Sequence, residues 1–167
     1  MSKKILALVL LLFAFSVGGC TNNEEPEKAA ATTTPKPDPA VNFGQGFSGV
    51  EGSGDNTWRW MAGEGVVSLK NTGKEMKLRL VGDAPIEQLG SKPTIKLVLN
   101  GEVLDQFPGA RNIEKEYVIP VAKQGNNPNS ELRIITDKTL VPKEKDPKSN
   151  DGRVLGLSVR KLIWEAK

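Results

Sequence analysis

Histidine is absent from this chain of 167 residues, cysteine occurs once, and aromatic side chains make up only 5% of it. Without His there is no imidazole general base, no histidine-based nucleophilic triad and no His-ligated zinc. A lone Cys can form neither an internal disulfide nor a thiolate metal cluster. Long apolar runs are scarce as well. The one that stands out, Ile5 to Val17, has Ser16 as its single polar residue. As a helix it would reach about 20 Å, short of the roughly 30 Å hydrocarbon core of a bilayer. With Lys3 and Lys4 ahead of it, it reads as the core of a signal peptide and not as a lasting transmembrane helix. The remaining length suits one domain of about 100–150 residues plus an appendage.

The apolar run ends in Val17-Gly18-Gly19-Cys20. This resembles the lipobox of bacterial lipoproteins: an apolar residue, two small residues and the Cys. The resemblance implies cleavage after Gly19, diacylglycerol on the Cys20 sulfur and an acyl chain on the new amino group. Two or three chains anchor far better than one, at about 0.8 kcal/mol per buried methylene. The alternative is an ordinary secretory signal with an incidental Cys. Localisation follows as lipid-anchored and extracytoplasmic, and Thr21 favours the outer membrane in a bacterium that has two. Loss of residues 1–19 takes the basic residues from 23 to 21 against 20 acidic ones, a formal +1. That balance gives no electrostatic footprint for nucleic acid.

Residues 20–40 hold the lipidated Cys and then TNNEEPEKAAATTTPKPDPA, with no large apolar side chain. Such a segment cannot bury enough surface to offset its ordering entropy and is expected to be a disordered tether. From Val41 to Lys167 the apolar pattern has period two. Met76, Leu78 and Leu80 alternate with Lys77 and Arg79, and Ile95, Leu97 and Leu99 precede Asn100-Gly101, a strong type I′ hairpin signal. Val103 and Phe107 belong to the returning strand. Further strands are expected at Thr57–Met61, Gly65–Leu69, Lys115–Ile119, Glu131–Thr136 and Val154–Trp164, the last with a bulge or end near Arg160. Turn-rich segments include Gly52-Ser53-Gly54-Asp55-Asn56, Asn71-Thr72-Gly73, Gln124 to Ser130 and Asp146 to Gly152. The spacing predicts an all-β fold, an antiparallel β-sandwich or jelly-roll-like single domain over 41–167, with a closed barrel as the alternative.

Candidate ligand-binding residues fall into two groups. Trp58 and Trp60 share one face of a strand and would form a stacking platform if exposed, with Arg59 on the opposite face. The competing reading has one Trp filling the core, Trp60 ahead of Trp58. The second group is Glu51, Arg59, Asp151 and Arg153, with Asp151-Gly152-Arg153 opening the last strand. It forms either the floor of a polar site or an ion-pair staple between the first and last strands.

Gly46-Phe47 through Glu51, Arg59-Trp60, Asn100-Gly101, Val141-Pro142 and Asn150 through Gly156 together resemble a β-sandwich module of bacterial cell-envelope proteins. That module occurs alone or attached to membrane glycosyltransferases of surface-polysaccharide assembly. The resemblance covers most of residues 46–163 and implies a jelly-roll-like, sugar-module architecture without a catalytic assignment. Glycoside hydrolysis would need only two carboxylates at a set separation, for which Glu51, Asp55, Asp137 and Asp151 are the candidates. The 146–152 segment offers oxygen ligands for calcium, but Lys148 stands where such a loop wants Asp or Asn. Neither a metal, a cofactor nor catalysis is therefore expected. The chain reads as a non-enzymatic binding module for envelope glycan or a surface component. The alternative is a structural lipoprotein that docks onto another envelope protein.

Overall fold

A computed structural model describes residues 39–167. The signal segment, the lipobox with Cys20 and the tether up to residue 38 lie outside the described residues. Pro39 and Ala40 form a turn, and the Ala40 carbonyl accepts a hydrogen bond from the Lys70 amide at 2.9 Å.

Ten strands follow: β1 Val41–Phe43, β2 Glu51–Ser53, β3 Asn56–Met61, β4 Glu64–Lys70, β5 Met76–Asp83, β6 Thr94–Leu99, β7 Glu102–Pro108, β8 Ile113–Ile119, β9 Asn129–Thr136 and β10 Leu157–Ala166. They form two five-stranded sheets, ordered β1-β4-β9-β6-β7 and β2-β3-β10-β5-β8, with antiparallel pairing throughout. Each sheet keeps two edge strands, so the fold is an antiparallel β-sandwich and not a closed barrel. Two short helices, α1 (Ile86–Leu89) and α2 (Pro142–Lys145), lie in crossover loops. Among the described residues no helix is long and apolar enough to cross a membrane.

Period-two alternation accounts for the layering. Along β5, Met76, Leu78 and Leu80 are buried while Lys77 and Arg79 point away, and β6 and β9 place Ile95, Leu97, Leu132 and Ile134 in the same interior. Trp164 is 1% exposed at the far end of β10, and its indole N–H donates to the Lys70 carbonyl of the opposite sheet at 2.7 Å. That bond satisfies the only polar atom of the largest core side chain. At the open side of the sandwich, Asp105 of β7 accepts hydrogen bonds from Tyr117 Oη (2.7 Å) and Lys115 Nζ (3.3 Å) of β8. The edge strands of the two sheets are thereby linked by a polar group.

The Asn100-Gly101 turn has φ of +50° and +86°, as a type I′ hairpin requires, and Leu99 pairs with Glu102. A register shift between Leu97 and Val98 opposite Leu104 then leaves Val103 60% exposed. The bulge expected at Arg160 is present: Val159 pairs with Gly82 and Lys161 with Val81, leaving Arg160 unpaired. Gly82 permits the close approach there, since a Cβ on it would lie 2.4 Å from the Ser158 carbonyl.

Other expectations are corrected. The last strand begins at Leu157, not Val154, so Asp151-Gly152-Arg153 belongs to a loop. Residues 140–156 form a flap outside the strands, closed by reciprocal backbone hydrogen bonds between Leu140 and Leu155 and joined to β3 where the Gly156 amide donates to the Met61 carbonyl at 2.8 Å. β1 and β2, three residues each, are too short to leave a periodic signature. Gly52, Ser53 and Asn56 were expected in a turn; they pair instead in a hairpin whose loop is Gly54-Asp55. The core tryptophan is Trp164, not Trp60.

Candidate functional site

The placement of Trp60 follows from the strand that carries it. Met61 is completely buried, and Arg59 also points inward, its guanidinium 5.1 Å from the centre of the Phe43 ring and donating to the Ser48 carbonyl at 3.3 Å. Alternation therefore sends Trp58 and Trp60 to the outer face, where both are half-buried. Arg59 thus does not join Glu51, Asp151 and Arg153. It lies on the other side of its sheet, because an odd offset from Trp60 reverses direction.

Across the sheet, Trp60 pairs with Ser158, and Ser158 with Asp83. Ser158 is buried between them, its hydroxyl donating to the Asp83 carbonyl at 3.3 Å. Asp83 is held by two neighbours. Its carboxylate accepts the Asn112 amide at 2.8 Å and lies 2.9 Å from Arg160 Nε, the residue turned outward by the bulge. Asn112 adopts φ of +54°, a left-handed conformation that Asn tolerates better than most residues, and its side-chain oxygen accepts from Arg160 at 3.1 Å.

Trp60 stands between two hollows. The first, of about 400 Å³, is walled by Trp60, Asp83, Ala84, Gln88, Arg111 and Asn112, with α1 along one side. An ion pair between Arg111 and Glu87 joins its rim. The second, of about 260 Å³, lies between Trp60, Pro85, Leu140, Pro142 and Leu155, with Lys145, Asp146 and Ser149 at its margin. Gln88 and Pro85 border both. Among the described residues the indole N–H of Trp60 and the side-chain amide of Gln88 have no hydrogen-bond partner. The charged side chains of the first hollow are paired, Asp83 with Arg160 and Glu87 with Arg111, whereas Lys145 at the second has no ion-pair partner among the described residues. Beside Trp60 and Gln88 the arrangement therefore offers an aromatic face and neutral donors.

Glu51, Asp151 and Arg153 do come together. Arg153 donates to Glu51 at 2.5 Å and through Nε and Nη2 to Asp151 at 3.0 and 2.7 Å. The guanidinium hydrogen bond holds the Asp151 carboxyl down at about 2, and Asp151 in turn raises Arg153. The group ties β2 to the flap and not to the last strand. The Asp151 carbonyl also accepts the Lys143 amide at 2.9 Å, so the clamp fixes α2, whose Pro142 forms part of the second hollow. Trp58 packs over Gly52, where an added Cβ would meet its ring at 2.7 Å, and lines neither hollow.

The remaining candidates lie elsewhere. Asp137 accepts the Thr94 amide at 2.7 Å, which lowers its pKa, and Asp146 accepts the Lys148 amide at 2.9 Å. Asp146 and Asp151 are thus committed to protein donors within the segment weighed for calcium. Among the described residues no cluster of three or more metal-ligating side chains occurs. Asp83, Gln88, Arg111 and Asn112 escaped the sequence reading, because only strand register and a crossover bring them beside Trp60. The one signal for them was the expected bulge at Arg160.

No protein-family model matches the chain, and no curated protein does. Several solved structures are similar to it in fold. A family two carbohydrate esterase from Clostridium thermocellum, in complex with cellohexaose, is 9% identical with a TM-score of 0.40, over 74% of this chain and 30% of the esterase. The chain thus spans under a third of that enzyme's length. A family 35 carbohydrate binding module from the same organism is 11% identical with a TM-score of 0.43, over 77% of this chain and 94% of the module. The CBM36-1 domain of a multidomain xylanase from the hindgut metagenome of Trinervitermes trinervoides is 11% identical with a TM-score of 0.37, over 72% of this chain and 90% of that domain. At such identities no residue role passes from them to this chain.

Proposed function

We propose that this domain is a non-enzymatic binding module that takes an uncharged saccharide against Trp60. In the same proposal, lipid on Cys20 holds it at the outer side of a bacterial membrane. The observation that carries the binding reading is the outward, half-buried Trp60, whose indole N–H has no partner and which lines two hollows. A pyranose presents apolar C–H faces to an aromatic ring and hydroxyls to the groups around it. Gln88 and Asn112 supply neutral amides for those hydroxyls. In the hollow where the sugar ring would lie, desolvating a charged ligand would require a compensating free charge, whereas Arg111, Glu87, Asp83 and Arg160 already neutralise one another; the unpaired Lys145 belongs to the other hollow. Glu51 and Asp151, which line neither hollow, are both bound to the Arg153 guanidinium.

The experiment is tryptophan fluorescence and calorimetric titration of the full chain in mild detergent. The ligands are neutral cello-, xylo-, manno- and chito-oligosaccharides. Binding of at least one series, lost in Trp60→Ala and kept in Trp58→Ala, is the expected result. Equal binding by wild type and Trp60→Ala, or none by either, refutes the reading. Mass spectrometry of the native protein checks the anchor, which requires a mature chain starting at Cys20 with the mass of its lipid.

A further inference from the structure

Leu140 and Leu155 are each 6% exposed, yet neither belongs to the apolar cluster that fills the sandwich. They form a separate patch on the outer side of the β2-β3-β10-β5-β8 sheet, and the 260 Å³ hollow lies against them. Two buried leucines outside the core thus form part of the wall of a solvent-open hollow. The residues that complete the hollow, Pro85, Pro142 and the Trp60 ring, offer carbon surface, with charge confined to Lys145 and Asp146 at the margin. The same indole also lines the hollow of Asp83, Gln88, Arg111 and Asn112. Trp60, Gln88 and Pro85 therefore border both a hollow of mixed polarity and a mainly apolar one.

Resting on the saccharide reading above, we infer that the ligand is a saccharide bearing a short aliphatic substituent, such as an ester- or amide-linked acyl group or an alkyl aglycone. The sugar ring lies against Trp60 with its hydroxyls toward Gln88 and Asn112. The substituent enters the hollow over Leu140 and Leu155. A bare saccharide would leave that apolar hollow to water, whereas an aliphatic chain releases the water and gains its transfer free energy. At about 30 Å³ per displaced water, the hollow of about 260 Å³ holds roughly nine waters, enough room for a six-carbon chain. The clamp of Glu51, Asp151 and Arg153 holds the flap that supplies Leu140, Pro142 and Leu155. It acts on this ligand as a positioning group.

The test uses methyl, propyl, pentyl and hexyl β-glucopyranosides and β-galactopyranosides with the full chain, with protein-free micelles as the blank. Affinity is expected to rise with chain length, up to about fourfold per methylene, the equivalent of ~0.8 kcal/mol. Leu140→Gln should flatten the series, read as the hexyl-to-methyl affinity ratio within that variant. Lys145→Trp, at an exposed rim position, should obstruct the hollow without touching the core, and thermal melting verifies that both variants fold. A flat series with the methyl glycosides still bound through Trp60 overturns this inference and leaves the saccharide reading standing. A chain-length gain that persists in Trp60→Ala and Lys145→Trp shows non-specific adsorption and also overturns it. No binding of any glycoside or oligosaccharide overturns both.

Discussion

Replacing Trp164 and Trp60 by Ala, separately, tests the division between core and site on which the binding proposal depends. Trp164 is 1% exposed and interleaved with Leu69, Leu78 and Met76 in one apolar cluster. Truncation of such a residue to Ala costs about 3–5 kcal/mol, through lost transfer free energy and the cavity left behind. The variant also leaves the Lys70 carbonyl without the indole donor, which adds about 1 kcal/mol. Trp60 is half-buried on the outer face, and the part of its surface already in water contributes nothing to folding. Its loss should cost ~1–2 kcal/mol. Urea unfolding followed by circular dichroism reads the difference. With an m-value of about 2 kcal/mol/M, Trp164→Ala should lower the midpoint by roughly 2–3 M and Trp60→Ala by about 0.5–1 M. Trp164→Phe should fall between them, because it keeps most of the buried area and loses the hydrogen bond. A Trp60→Ala midpoint as low as that of Trp164→Ala would refute the outward placement of Trp60, and the saccharide site with it.

Tyr117 is the only tyrosine, so its ionisation can be followed by ultraviolet absorbance. Burial first, and then the hydrogen bond to Asp105, hold its pKa above the ordinary 10. A raised phenol pKa gives stability that is intact below pH 10 and lost as pH climbs toward the folded-state value. Asp105→Asn should lower the titration midpoint, and a wild-type midpoint at or below 10 counts against this geometry. For the clamp, Arg153→Ala should change global stability by ~1 kcal/mol or less, since partly exposed ion pairs contribute little. Hydrogen exchange at the Lys143 amide, which donates to the Asp151 carbonyl, should nevertheless speed up. Acidification should act in the same direction. The Asp151 carboxyl is depressed, so its hold on Arg153 is complete above the ordinary 3.8 and is lost as pH falls through about 2. Unchanged protection of Lys143 in the variant would show that the clamp does not fix the flap.

The strands that proved easiest to read carry their alternation over six residues or more. Met76–Asp83 and Asn129–Thr136 each bury every second side chain, so burial and sequence period coincide. Asn100-Gly101 was equally plain, because a two-residue turn with positive φ at both positions is a local property. The bulge at Arg160 was legible from a break in phase, where Leu157 and Val159 are followed by Leu162.

What the sequence alone determined is local: period two, a type I′ hairpin and the out-of-phase Arg160. What only the tertiary structure decided is which face of each strand met the other sheet. That choice put Trp164 in the core and Trp60 outside it, and it sent Arg59 toward Phe43. It also set Asp83, Gln88, Arg111 and Asn112 beside Trp60, although they lie 23 to 52 positions away in the chain. The physical reason is that a strand fixes the relative direction of its own side chains, whereas their absolute direction follows from the total apolar surface buried by all ten strands together.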